Sequence, residues 1–361
     1  MEKDFIKGGA RRIQSLIDAA VSDGSRAVTL CGNYEIEEAI RLPSDFTLTL
    51  ENCHLRLADG SYTNIFVNEH HGTELGKTAD GTDRGIRIIG KGEAILDGGV
   101  YNGLSEKNAG KGGLPPIWKN NLILFTNVDG FLIDGISLIN QRWWAANFIF
   151  ARNGEIRNIK VMASDEAIDR DGRHYRGLRQ DAYSDILIKN ADGIDIRCGC
   201  NNILIENISG FTEDDTVALT GLMGALETEF CVAGLPTDIS SITVKNVRGG
   251  AYCALVRLLN QDGISLHDVT IDGVYDSSLS MPQLDRGAYG VRIGDTHLYG
   301  KSRYSTPEET YNITVKNLYA EGMYALTLAT SVKNLVIENV NAREGTVALR
   351  DDRPTKSENN G

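Results

Sequence analysis

The 361-residue sequence predicts an all-β solenoid, a parallel β-helix, on three observations: short alternating strands throughout, a repeat near 22 residues, and polar turns recurring at matching places. Segments such as "RAVTLCG", "FTLTLENC", "GIRIIGKG", "NLILFTN", "DGIDIRCG", "DTVALTG" and "ALTLATS" alternate apolar with polar residues between Gly, Asn or Asp. That alternation is the pattern of half-buried strands. A second series shares an ending: "ILIEN" from 203, "ITVKN" from 242 and 313, and "LVIEN" from 335. Steps of 23 from Ile194 to Val217 and of 21 from Leu326 to Val347 suit one coil, which must return the chain one strand spacing above its start. The period is too short for helical solenoids, and the four strands of a propeller blade are missing. A solenoid of roughly ten coils follows.

Each element has its own signal. In "ARRIQSLIDAAVSDG", Ile13, Leu16, Ile17 and Ala20 stand at helical spacing and the run stops at Gly24, which predicts a capping helix over about 10–24. Such a helix covers the open end of the core, where a strand edge is otherwise exposed. Asn207, Asn246, Asn317 and Asn339 end the second series and are expected to stack as an amide ladder at one turn. Cys31 and Cys53, like Cys231 and Cys253, lie 22 apart and are expected at stacked interior positions. Cys198 and Cys200 alternate on one strand, so all six cysteines read as reduced thiols. The long polar stretches 69–84, 101–116, 164–184 and 274–311 read as loops over one face, where binding usually sits. No boundary divides the chain, so 1–361 is expected as a single β-helix domain with a polar tail over 352–361.

Composition limits the function. With 41% hydrophobic and 24% charged residues the chain can bury a sizeable core, and a net charge of −12 argues against general affinity for nucleic acid or anionic membrane. The start, "MEKDFIKGGARRIQ", has no apolar run, and no stretch is long enough to span a bilayer. The expected location is the cytoplasm, or outside the cell if an export signal was removed. No cofactor or metal is expected; His70 and His71 read as loop residues. Self-association is left open.

The candidate site is a carboxylate cluster. Asp214 follows Asp192 by 22 residues, one coil, and Asp215 follows directly, so the three are expected within about 5 to 8 Å of one another. At ~5 Å and an effective dielectric of ~20, one such pair costs roughly 3 kcal/mol, about two pKa units, so one member stays protonated near neutrality. Glycoside hydrolysis needs that combination: a carboxylic acid for the leaving oxygen and a carboxylate to activate water. A calcium site is the other functional use of clustered carboxylates.

The motif "NADGIDI" from Asn190, followed one coil later by "EDDTVAL", resembles the N-T-D and D-D motifs of the polygalacturonases, glycoside hydrolase family 28. "RRIQSLIDAA" with "VTLCGNYEI", "GKGEAILDGG", "LPPIWKNNLILF" through "WWAANF", and "GVRIGD" resemble further segments of that family, the last its R-I-K motif. The resemblance implies the right-handed parallel β-helix of the pectin lyase fold. It also implies Asp214 as general acid, Asp192 and Asp215 holding and deprotonating the water of an inverting mechanism, and Arg292 binding the sugar. Tyr252 stands where the family's G-H-G motif has His, and Gly294 replaces the Lys of R-I-K.

Further substrate-binding candidates are Asn190, which opens the motif; Tyr252; Arg257, one coil from Arg292; and Trp143 and Trp144, one expected to offer a stacking face to a sugar. The loop "SDEAIDRDGRHYRGLRQDAYSD" adds His174 among Arg170, Arg173, Arg176 and Arg179. The substrate class expected is a galacturonate- or rhamnose-containing pectin-type oligo- or polysaccharide, and the long loops favour exo action. A polysaccharide lyase or epimerase on the same scaffold is the alternative, for which the aspartates are less suited than a Lys or Arg cluster. A non-catalytic carbohydrate-binding β-helix is the other.

Overall fold

The computed structural model describes residues 4–99, 110, 113, 115–141, 143–163, 166–168, 174–176, 191–280, 287–295 and 303–353. Among these, nineteen strands form one continuous parallel sheet that winds as a right-handed β-helix. Right-handed crossovers are what twisted parallel strands require. One stack of short strands runs through Phe66–Asn68, Ala191–Ile196, Val217–Gly221, Ala254–Asn260, Tyr289–Ile293, Tyr324–Leu328 and Val347–Asp351. The other faces are built by long bent strands, among them Asn201–Thr212, Ile239–Ala251, Leu266–Asp276, Thr310–Ala320 and Lys333–Ala342. Coil length varies with the insertions. Ile194 meets Val217, 23 residues on, whereas Ile203 meets Ile242, 39 on, because the chain between carries the short helix Ala225–Glu229.

The inward residues form columns of Ile, Leu and Val, with Phe46, Phe66, Phe125 and Phe148 filling the wider coils. Helix α1, Gly9–Ser22, closes the first coil with Ala10, Ile13, Ile17 and Ala20. Leu16, expected on that face, points outward and is 44% exposed. At the other end Val336, Ile337, Val347 and Leu349 are exposed.

The asparagine ladder forms with one substitution. Asn207 donates to Asn158 Oδ1 at 3.0 Å, Asn246 to Asn207 Oδ1 at 2.6 Å, and Asn339 to Asn317 Oδ1 at 2.8 Å. Between Asn246 and Asn317 the intervening coil places Gly273, at φ 84°, and Asn317 bonds instead to the neighbouring Asp272. All four asparagines have φ between 51 and 58°, the left-handed bend that turns one face into the next.

The cysteine columns do not form. Cys53 is buried and pairs with Gly32, while Cys31 falls in a register shift and is exposed. Cys231 lies in the turn after the short helix and Cys253 beside the carboxylates described next, so equal spacing does not place these thiols in one column.

Candidate active site

The carboxylates stand where the short-strand stack begins each coil. Asp192 is the second residue of the strand Ala191–Ile196, and Asp214 and Asp215 lie in the bend between Asn201–Thr212 and Val217–Gly221. The bend is held by Thr212 and Thr216, whose hydroxyls are 2.8 Å apart. The register corrects the expected stacking. Ile194 pairs with Val217, so Asp215 rather than Asp214 continues the column of Asp192, and Asp214 is turned half a step aside. Within the column each carboxylate accepts from the main chain one coil above: Asp192 Oδ1 from the Asp215 N–H at 3.0 Å, Asp215 Oδ1 from the Ala254 N–H at 3.1 Å.

Two columns thus define the site. The first runs Trp144, Asp192, Asp215, Ala254, Tyr289, Tyr324. The second, three residues further along each strand, runs Asn147, Asp195, Ala218, Arg257, Arg292, Thr327, Arg350. Ala218 leaves room above Asp195, and Arg257 reaches back to Asp215 Oδ2 at 3.1 Å and to Asp295 Oδ2 at 2.9 Å. Arg292 donates to Asp295 Oδ1 at 2.5 Å. On the other flank Arg197 binds Asp195 at 3.2 Å, Glu227 at 2.7 Å and Asn147 at 3.0 Å. Glu227 is delivered by the helix Ala225–Glu229, whose first turn it also closes through the Gly224 N–H at 3.0 Å.

Burial dominates the electrostatics. It pushes the Asp214 carboxyl up to about 7, reinforced by Asp215, while Arg257 opposes. Burial also raises Asp195 to about 7 against the pull of Arg197. Asp192 is raised well above the carboxylate range by burial and then by Asp195, Asp214 and Asp215. Asp215 is raised by burial, but Arg257 and its hydrogen bond draw it down, so it is the member best placed to hold a charge. Asp215 is fully buried and Asp214 only partly, so Asp214 is the one the solvent side reaches. The Cys253 thiol lies within 4.8 Å of carboxylate oxygens of Asp214 and Asp215, and burial beside them keeps it protonated.

The other expected residues separate. Arg257 and Arg292 are adjacent in register and both face the cluster. Tyr252 is half-buried against Phe211 and Ala163, at the edge of the site. Trp143 and Trp144 do not offer an open face: both are buried in a satellite apolar cluster with Phe150, Leu226 and Phe230, and the Arg197 guanidinium covers the Trp144 ring at 4.2 Å. Asn190, Arg170, Arg173 and Arg179 lie outside the described residues. His174 and Arg176 belong to a short strand paired antiparallel with Glu166–Ile168, and their side chains are outside the description.

His70 and His71 part ways. His70 Nδ1 meets Asp83 at 2.8 Å, whereas His71 stacks on Phe230 and is pushed down to about 3 by burial and then by Arg41 and Lys119. Among the described residues, donor atoms suited to a metal gather in Glu69, His70 and Asp83 and in Asp214, Asp215 and Cys253. Asp83 is already met by the Asn68 amide at 2.7 Å and the His70 N–H at 2.9 Å, which explains that group without a metal. Asp195, Arg197, Glu227 and Asp295 are site residues that sequence reasoning passed over. Their signal was phase: Asp195 lies three residues beyond Asp192, and Asp295 three beyond Arg292.

Comparison with solved structures supports the architecture. A 1,3-α-1,4-β-D-galactose-4-sulfate-3,6-anhydro-D-galactose-2-sulfate 4 galactohydrolase superposes with TM-score 0.60 at 13% identity, covering 98% of this chain and 89% of that one. The polygalacturonase from Erwinia carotovora ssp. carotovora gives 0.58 at 15%, over 99% and 94%. The exopolygalacturonase from Thermotoga maritima gives 0.54 at 15%, over 95% and 90%. No curated protein sequence matches the chain. Residues 85–235 match the model of glycosyl hydrolases family 28, a stretch that includes the Asp192 coil, the Asp214–Asp215 bend and the helix carrying Glu227. Over that stretch the chain is similar to the glycosyl hydrolases of family 28, and over nearly its whole length it shares the β-helix fold of these solved structures.

Proposed function

We propose that the protein hydrolyses, with inversion, a glycosidic bond in a pectin-type glycan containing galacturonate or rhamnose, and that it acts from chain ends. The observation that carries the reading is the division of labour between neighbours: Asp214, partly exposed and raised to about 7, beside Asp215, buried and ion-paired to Arg257 at 3.1 Å. A general acid must hold a proton at working pH and be reachable, while a base must be ionised and oriented. Asp214 protonates the leaving oxygen. Asp215, with Asp192 beneath it, holds a water and takes its proton as the oxygen attacks the anomeric carbon from the opposite face. Arg257 and the Ala254 N–H fix the orientation of Asp215. Exo action is supported by the long polar insertions that interrupt the strand series in the sequence.

The test is incubation with homogalacturonan and rhamnogalacturonan oligosaccharides, following reducing ends and unsaturated-uronate absorbance together. New reducing ends without that absorbance, released from chain ends as the inverted anomer, are expected. Unsaturated products point to a lyase, and silence across the panel defeats the pectic assignment.

A further inference from the structure

Polygalacturonase-like sites are expected to receive a uronate on the arginine of their R-I-K motif, and here that arginine is already occupied. Arg292 donates to Asp295 at 2.5 Å, and Arg257 bridges Asp295 at 2.9 Å and Asp215 at 3.1 Å, all four side chains being largely buried. Further up the same column Arg350 pairs with Asp352 at 2.5 Å. A carboxylate arriving at Arg257 and Arg292 meets two guanidinium groups that already face two carboxylates, with Asp214 and Asp195 close by. The second cation of the motif cannot be restored by a side chain at 294. Gly294 has φ 85°, and a Cβ there falls 2.6 Å from the Thr330 nitrogen.

We infer that the sugar held against Arg257 and Arg292 is neutral, and that Asp295 is the residue that rejects a uronate. This rests on the cleft assignment above. A neutral sugar needs only hydrogen bonds from the guanidinium edges and brings no third carboxylate into a buried site.

The test reads binding, so its failure is distinct from a failure of the hydrolase reading, which shows as absent turnover. Trigalacturonate and its carboxyl-reduced, neutral counterpart are titrated calorimetrically into wild type, Asp295→Asn and Asp295→Glu, with melting curves to confirm folding. Wild type is expected to bind the neutral trisaccharide at least about ten-fold more tightly, a difference of about 1.4 kcal/mol. Asp295→Asn is expected to gain at least about ten-fold for trigalacturonate, while Asp295→Glu stays like wild type. If wild type shows no preference for the neutral form, the inference is overturned, and this arm stands even if Asp295→Asn does not fold. A folded Asp295→Asn that gains nothing for the acid overturns the role given to Asp295.

Discussion

Asp214 and Asp215 are neighbours in the chain and differ in charge state because of what lies one coil above them. Arg257 reaches Asp215 with a direct hydrogen bond at 3.1 Å, and its charge also draws Asp214 down against the larger effect of burial. A consequence for stability follows. Asp214 titrates at about 7 in the folded protein against an ordinary 3.8, so between those values the folded state holds a proton that the unfolded chain releases. Stability on its account is therefore full below about pH 4 and falls as pH rises through about 7. Asp214→Asn removes the burden: the variant should match wild type near pH 4 and exceed it by on the order of 2 kcal/mol near pH 8, measured by urea unfolding at both pH values. At this scale the sequence was informative about chemistry and less so about neighbours. Three aspartates in phase were legible from spacing, but a one-residue error in coil length exchanged Asp214 for Asp215 in the column. Asp195 and Asp295 went unmarked in the sequence, since what brings them to the cluster is register across coils.

At the scale of elements, the bends between faces are set by residues that tolerate left-handed backbone. Asn207, Asn246, Asn317 and Asn339 do so while bonding to the coil below, which is why their repetition was readable. The glycines beside them are constrained by contact. Gly210 and Gly249 stack in register at φ 124° and 142°, and a Cβ on Gly210 falls 1.9 Å from the Val161 carbonyl oxygen. Gly210→Ala is expected to destabilise the fold by about 3 kcal/mol or more, since neither backbone can retreat, with the loss visible as a lowered denaturation midpoint. The tryptophans show the reverse limit. Alternation put Trp143 and Trp144 on opposite faces, yet Trp143 has φ 69° and the two rings lie 5.8 Å apart in one cluster, because the strand begins with an irregular residue that breaks the period of two.

For the molecule as a whole, the repeat made the architecture legible: a short period of short strands admits few closed packings, and the parallel coil satisfies the backbone of each strand through the next. The site was legible only in part because insertions between coils change the count, from 23 residues between Ile194 and Val217 to 39 between Ile203 and Ile242. The winding that stacks apolar columns inside also stacks charges outside, and the acids and arginines of successive coils settle into one buried network around Asp215. The central claim, that Asp214 is the proton donor of a glycosidase, is tested most directly by comparing kcat/KM of wild type and Asp214→Asn on two substrates of the same sugar. One is the native glycan, whose leaving oxygen needs a proton, and the other is a nitrophenyl glycoside, whose leaving group needs little help. The account predicts a loss of about 10²- to 10⁴-fold on the native glycan and a much smaller loss on the nitrophenyl glycoside; equal losses on both would contradict it.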